Sequence, residues 1–266
     1  MKKEAWQLSL VFVCSALLSS CVLPTDNELN QARQLIVVTT DDWNSVQGNL
    51  QRFERANRQG VWDSVEPSSA IVVGKAGLAW GKGIEGISKK ELGNTSGEPI
   101  KQEGDNKAPA GVFSLGTTFG YAKQPHGWKM PYIQLSSSVE CVDDVSSSFY
   151  NHIVDSSRMK SSHWSSAEHM LRNDGLYRWG VFVNHNTHPA QVGQGSCIFL
   201  HIWHGHDQGT AGCTAMSQSG IEKMFEWLDP DKSPVLIQIP RSKYEYFRTH
   251  LDGEVLPRLD VFPIHS

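Results

Sequence analysis

The chain has 266 residues, 24 Lys and Arg against 28 Asp and Glu, a formal charge of −4 and 39% hydrophobic residues. That slightly acidic balance excludes a nucleic-acid footprint, which needs a concentrated basic face, so no nucleic-acid partner is expected. The length suffices for one sizeable core, or a core with an insertion, and no internal repeat or low-complexity block divides it.

In chain order, the first residues speak to compartment. Met1-Lys2-Lys3 is a short basic start, and Ala5 to Leu18 is an apolar run of about fourteen residues, below the roughly 20 that span a bilayer. It ends in Leu18-Ser19-Ser20-Cys21, which resembles the lipobox of bacterial lipoproteins. The resemblance implies that residues 1–20 are a removable signal peptide and that Cys21 carries lipid on its thiol, making a membrane anchor. Val22 stands where an aspartate would resemble inner-membrane retention, so the expected site is the outer membrane, facing the periplasm. Residues 21–34 then read as a polar tether with a reach of about 20 Å, followed by a single domain over 35–266. No later segment is long and apolar enough to cross a bilayer.

Leu35–Thr40 and Ala70–Gly74 are β-branched runs bounded by turn residues, and they predict strands. Between them Val46, Leu50 and Phe53 share a helical face, which predicts a helix over Val46–Ala56. Further strands are expected at Gly111–Leu115, Met130–Leu135, Gly180–Asn184, Ile198–Trp203 and Val235–Ile239. Two more helices are expected. Ser161–Arg172 spaces Trp164, Ala167 and Leu171 helically, and Ser219–Leu228 opens on a Ser219-x-x-Glu222 capping box, carries Ile221, Met224, Phe225 and Leu228 on one stripe, and stops before Pro230. Trp179 and Trp203 read as core. The pattern is mainly β, an α+β sandwich or barrel with peripheral helices.

Cysteines sharpen the reading. Cys14 leaves with the signal peptide and Cys21 goes to lipid, so Cys141, Cys197 and Cys213 remain, an odd number for an oxidising compartment. If Cys213 is a nucleophile, Cys141 and Cys197 are the pair left over, closing a loop of about 57 residues worth roughly 4 kcal/mol. The rival pairing of Cys197 with Cys213 would consume the nucleophile. Cys213 ends a Thr210-Ala211-Gly212-Cys213 turn, twelve positions after His201. A nearby histidine activates a thiol as base and as positive charge, and a small-residue turn frees backbone N–H groups for an oxyanion. His201, His204, His206 and Asp207 also form an H-x-x-H-x-H-D cluster of zinc-binding types, but strand alternation separates His201 from His204 and His206. No metal site is assigned.

Two blocks together resemble the L,D-transpeptidase catalytic domain (YkuD type), whose members cross-link or trim bacterial peptidoglycan. The first is Lys101 to Gly116, KQEGDNKAPAGVFSLG, similar to the family's Lys…Gly-Asp-x-(Arg/Lys)-x-Pro-x-Gly-x-Phe block; the second is the His201-to-Cys213 run, similar to its histidine followed by Ser-x-Gly-Cys. The resemblance covers roughly Ile71 to Pro240 and implies a β-sandwich with peripheral helices. It also implies a Cys213 thioester with peptidoglycan tetrapeptide stems, His201 as general base and acid held by a backbone carbonyl, and an oxyanion turn at Gly212 and Cys213. Thr210 would hold the histidine or the turn, and no cofactor is implied. The chain departs from the pattern at Thr210, in place of serine, and at Ala215, in place of an arginine. Release of the acyl group to water, as in an L,D-carboxypeptidase or amidase, and a catalytically silent peptidoglycan-binding lipoprotein are the alternatives. Lys101 and Asp105 are expected to shape a turn, and residues 141–174 look like an insertion without a family assignment.

Overall fold

The computed structural model describes residues 28–161, 164–187, 189–251 and 255–260. The expected signal peptide and Cys21 lie outside the described residues. Strands form where β-branched and aromatic residues cluster: β1 (Gln34–Thr40), β2 (Gln47–Glu54), β3 (Asp63–Ser64), β4 (Ser69–Val72) and β5 (Leu78–Trp80). The long β6 (Ala108–Gly120) is followed by β7 (Tyr132–Gln134), β8 (Val139–Cys141), β9 (Ile153–Asp155), β10 (Glu168–His169), β11 (Trp179–Val183), β12 (Phe199–Ile202), β13 (Thr214–Met216) and β14 (Val235–Pro240). Helices α1 (Glu28–Gln31), α2 (Gln218–Trp227) and α3 (Arg241–His250) are few, so the fold is mainly β, as the sequence predicts.

Eleven strands form one sheet in the order β1-β14-β6-β11-β12-β13-β4-β2-β3, with β5 and β7 paired to β6. An antiparallel β1–β2 pairing brings the sheet back to its start, so the two faces expected of a sandwich belong to one closed sheet. Every residue of β1 is buried because β14 and β2 flank it and the core fills behind it. That core joins Leu35 to Val38, Phe113, Val181, Leu200 and Ile237 to the inward stripe of α2, Ile221, Met224 and Phe225.

Four expectations are corrected. Val46–Ala56 is strand β2 rather than a helix, since seven of its residues pair with β1, and a Cβ at Gly48 would come within 2.5 Å of the Thr39 carbonyl oxygen. Ser161–Arg172 is not helical where described: Glu168 and His169 pair with β8, while Ser165 bonds the Asp144 carboxylate through its N–H and hydroxyl. In α2 the cap is Ser217, whose Oγ accepts from Gly220 N at 3.1 Å, and Glu222 instead receives the Gln218 side chain. The expected tether ends early, because Leu29 and Ala32 are fully buried and the Arg55 guanidinium donates to Ala32 O at 2.7 Å.

The 141–174 stretch, together with the start of β8 at Val139, builds a second, three-stranded sheet, β10-β8-β9. A Cys141–Cys197 disulfide fastens it to the approach of β12, and Glu168 of β10 lies opposite Cys141. The insertion is thereby pinned beside β12 and β13.

Candidate active site

Two parallel strands set the geometry. β12 and β13 pair with Leu200 opposite Thr214, His201 opposite Ala215 and Ile202 opposite Met216. Continuing that register one step back sets Cys213 beside Phe199, and period-two alternation puts Cys213 and His201 on the same face. Both line a cleft of about 530 Å³, whose walls also include Lys101, Glu168, Arg172, Tyr177, Trp203 and the Gly209–Gly212 turn.

Cys213 is the free cysteine among the described residues, and it is buried. Its Sγ accepts from the Phe199 N–H at 3.3 Å and its S–H lies 3.5 Å from Cys197 O. Burial pushes the thiol up to about 12; the carboxylate of Glu168 acts in the same direction, and the Phe199 N–H opposes both. His201 is buried on β12, with Nδ1 at 2.7 Å from the Ile202 carbonyl. A carbonyl can only accept, so Nδ1 carries the proton and Nε2 is left with the lone pair. Burial brings this imidazole down to about 4. Burial thus favours the neutral thiol and imidazole over a charged pair.

The turn is held by one hydroxyl. Thr210 Oγ1 donates to Cys213 O at 2.6 Å and accepts from Gly212 N at 3.0 Å. The Gly212 N–H is thus engaged and not free for an oxyanion, a correction to the expected pair, and Thr210 holds the turn instead of the histidine. Gly212 has φ +157, and a Cβ there would meet Lys107 O at 3.2 Å. Lys101 does shape a turn. Its ammonium reaches Asp105 at 2.6 Å and Gln102 O at 2.7 Å, while the Asp105 carboxylate also accepts from the N–H groups of Gln102 and Lys107.

Ala215 is fully buried opposite His201, so no cation stands there. The guanidinium in the cleft wall is that of Arg172, bonded to Asp174 and stacked 5.0 Å over the Tyr177 ring. Tyr177 in turn sits edge-on to His201 at 5.1 Å and donates its hydroxyl to Glu168 Oε1. Sequence reasoning misses Glu168, Arg172 and Tyr177. Glu168 reaches the cleft on the second sheet and Arg172 and Tyr177 on the chain between β10 and β11, and a polar Ser-Ser-Ala-Glu-His run shows no local sign of it. Trp179 packs on Trp128 at 4.7 Å and on Phe225, as expected of core, whereas Trp203 lines the cleft. His204, His206 and Asp207 are exposed past the end of β12, and of the three His204 shares the cleft lining with buried His201.

A free thiol and a neutral imidazole with an open nitrogen, on adjacent strands of one cleft, are the parts from which a cysteine acyl-transfer site is made. The family model of the L,D-transpeptidase catalytic domain, YkuD, matches residues 56–237, and the chain belongs to that family. It is an L,D-transpeptidase-type enzyme of peptidoglycan. No curated protein and no solved structure matches it. The match starts after β2 and ends inside β14, so the strands that close the sheet lie at or beyond its limits.

Proposed function

We propose that the protein transfers acyl groups on peptidoglycan tetrapeptide stems through a Cys213 thioester, with His201 as base and acid. The observation that carries this reading is the free thiol of Cys213 sharing a cleft and a sheet face with His201, whose Nε2 is unprotonated.

Cys213 Sγ attacks the carbonyl of the third stem residue as His201 Nε2 takes the thiol proton. The C–S bond forms, the C–N bond to the terminal D-alanine breaks, and the imidazolium returns the proton to the departing amine. An acceptor amine, or water, then attacks the thioester. Its C–N or C–O bond forms, the C–S bond breaks, and its proton passes through His201 to the sulfur. Because both partners rest neutral, proton transfer accompanies attack instead of preceding it. The N–H of Cys213 is the remaining turn donor for the oxyanion, since Thr210 holds that of Gly212.

Chromatography of muropeptides after incubation with wild-type and Cys213→Ala protein tests the reading. New dimers are expected from wild type alone. Tripeptides without dimers would assign the acyl-enzyme to water, and no change would overturn the reaction. A carbapenem should add one drug mass to wild type and none to Cys213→Ala. We further propose that Cys21 anchors the chain by lipid to the outer membrane, facing the periplasm; fatty-acid labelling that survives Cys21→Ser would refute this.

A further inference from the structure

The 141–174 segment forms a wall of the cleft, and the charges it supplies do not balance. Lys101 and Arg172 are the lining cations, and each is already bonded to a carboxylate, Asp105 and Asp174. Three further acids line the same space: Glu103, Asp143 and Glu168. Glu103 accepts from Tyr150 and Ser196, and Asp143 from Ser166. Glu168 differs. Its Oε1 takes the Tyr177 hydroxyl and a long 3.5 Å contact from Arg172, while no described residue donates to Oε2. Burial holds this carboxyl above the usual range despite a long 3.5 Å ion pair with Arg172, whose guanidinium Asp174 holds more closely, so its negative charge sits there at a cost that a closer bound cation would relieve.

Its place is adjacent to the chemistry. Tyr177 bridges Glu168 to the His201 ring, and the Glu168 charge acts directly to raise the Cys213 thiol. The disulfide and the Glu168–Cys141 register hold β10 at that point.

We propose that Glu168 is a specificity-determining residue that seats an ammonium group of the substrate beside Cys213. This rests on the acyl-transfer reading, in which stem and acceptor both carry amines. The bound cation cancels the charge that adds to burial in opposing thiolate formation, so the nucleophile is favoured when the right substrate is in place. His204, Asp143, Asp174, Arg172, Lys101 and Glu103 are the other charged or titratable groups in and around the cleft.

The test reads Cys213 directly and needs no peptidoglycan. Three methanethiosulfonates of similar size, bearing an ammonium, a sulfonate or a neutral methyl group, are reacted with the full chain, and mixed-disulfide formation is followed on the Cys213 peptide by mass spectrometry. The cationic reagent should outpace the anionic one by on the order of tenfold. In Glu168→Gln, whose amide oxygen can still take the Tyr177 hydroxyl, that ratio should fall toward one while the neutral reagent reacts faster. Asp143→Asn, a cleft acid already bonded to Ser166, should keep most of the preference. In wild type, n-butylammonium should slow the cationic reagent and n-butanol should not, which tests the seat without any variant. No preference in wild type, or a preference equal in Glu168→Gln, overturns the proposal. A preference that follows Glu168 beside unchanged muropeptides would retain the seat and discard the acyl-transfer reading.

Discussion

Cys213 and His201 are individually ordinary residues made consequential by enclosure. With the thiol near 12 and the imidazole near 4, alkylation by neutral iodoacetamide should be slow at pH 7. Its rate should rise about tenfold per pH unit through pH 10 as the thiolate fraction grows. A rate that is already flat from pH 5 to 9 would mean a resting ion pair and would sink the concerted scheme. Thr210 offers a second check. Thr210→Val removes both hydrogen bonds of the turn and should lower carbapenem acylation by roughly one to two orders of magnitude, with Thr210→Ser near wild type. Equal rates in all three would remove the hydroxyl from the argument. These positions were legible because the histidine, the Thr-x-Gly-Cys turn and the odd cysteine count all lie in local sequence. Glu168 and Tyr177 were not, because their meaning arises only when the second sheet meets β12.

Among the elements, the helix α2 and most of the strands of the closed sheet could be read, since their apolar residues repeat at their own period. β2 could not. Leu50 and Phe53 are three apart and mimic a helix, while the buried Gln51 and Arg52 are satisfied by Ser64, Glu66 and the Lys223 carbonyl, partners distant in sequence. Gly48 was the overlooked signal: it allows close approach to β1, and Gly48→Val should destabilise by about 2–4 kcal/mol in denaturant unfolding. Helix α3 was also missed, having only Tyr244 and Phe247 buried in a polar run. The cap of α2 separates two readings cleanly. Ser217→Ala should cost about 1 kcal/mol and Ser219→Ala very little; the reverse order would restore the capping box expected from sequence.

For the whole molecule, pH acts through two buried histidines. His185 and His201 are each brought by burial from 6.5 to about 4. Between those values the unfolded chain binds protons that the folded one refuses, so stability is intact above about 6.5 and falls as pH drops toward 4. Thermal unfolding followed from pH 7.5 to 4 should show this decline; a constant Tm would contradict the burial of neutral imidazoles. Topology was the least legible level, because closure of the sheet depends on β1 and β2 meeting and on β14 fitting between β1 and β6, none of which has a local signature.

That placement of β14 governs how the chain can be made. Synthesis delivers β1 and β6 long before residues 235–240, and until then each presents a row of unpaired backbone groups to whatever strand comes near. Residues 235–240, made late, thus act as a fastener for strands made early. Clipping within β14 should yield sticky, insoluble material instead of a shortened enzyme.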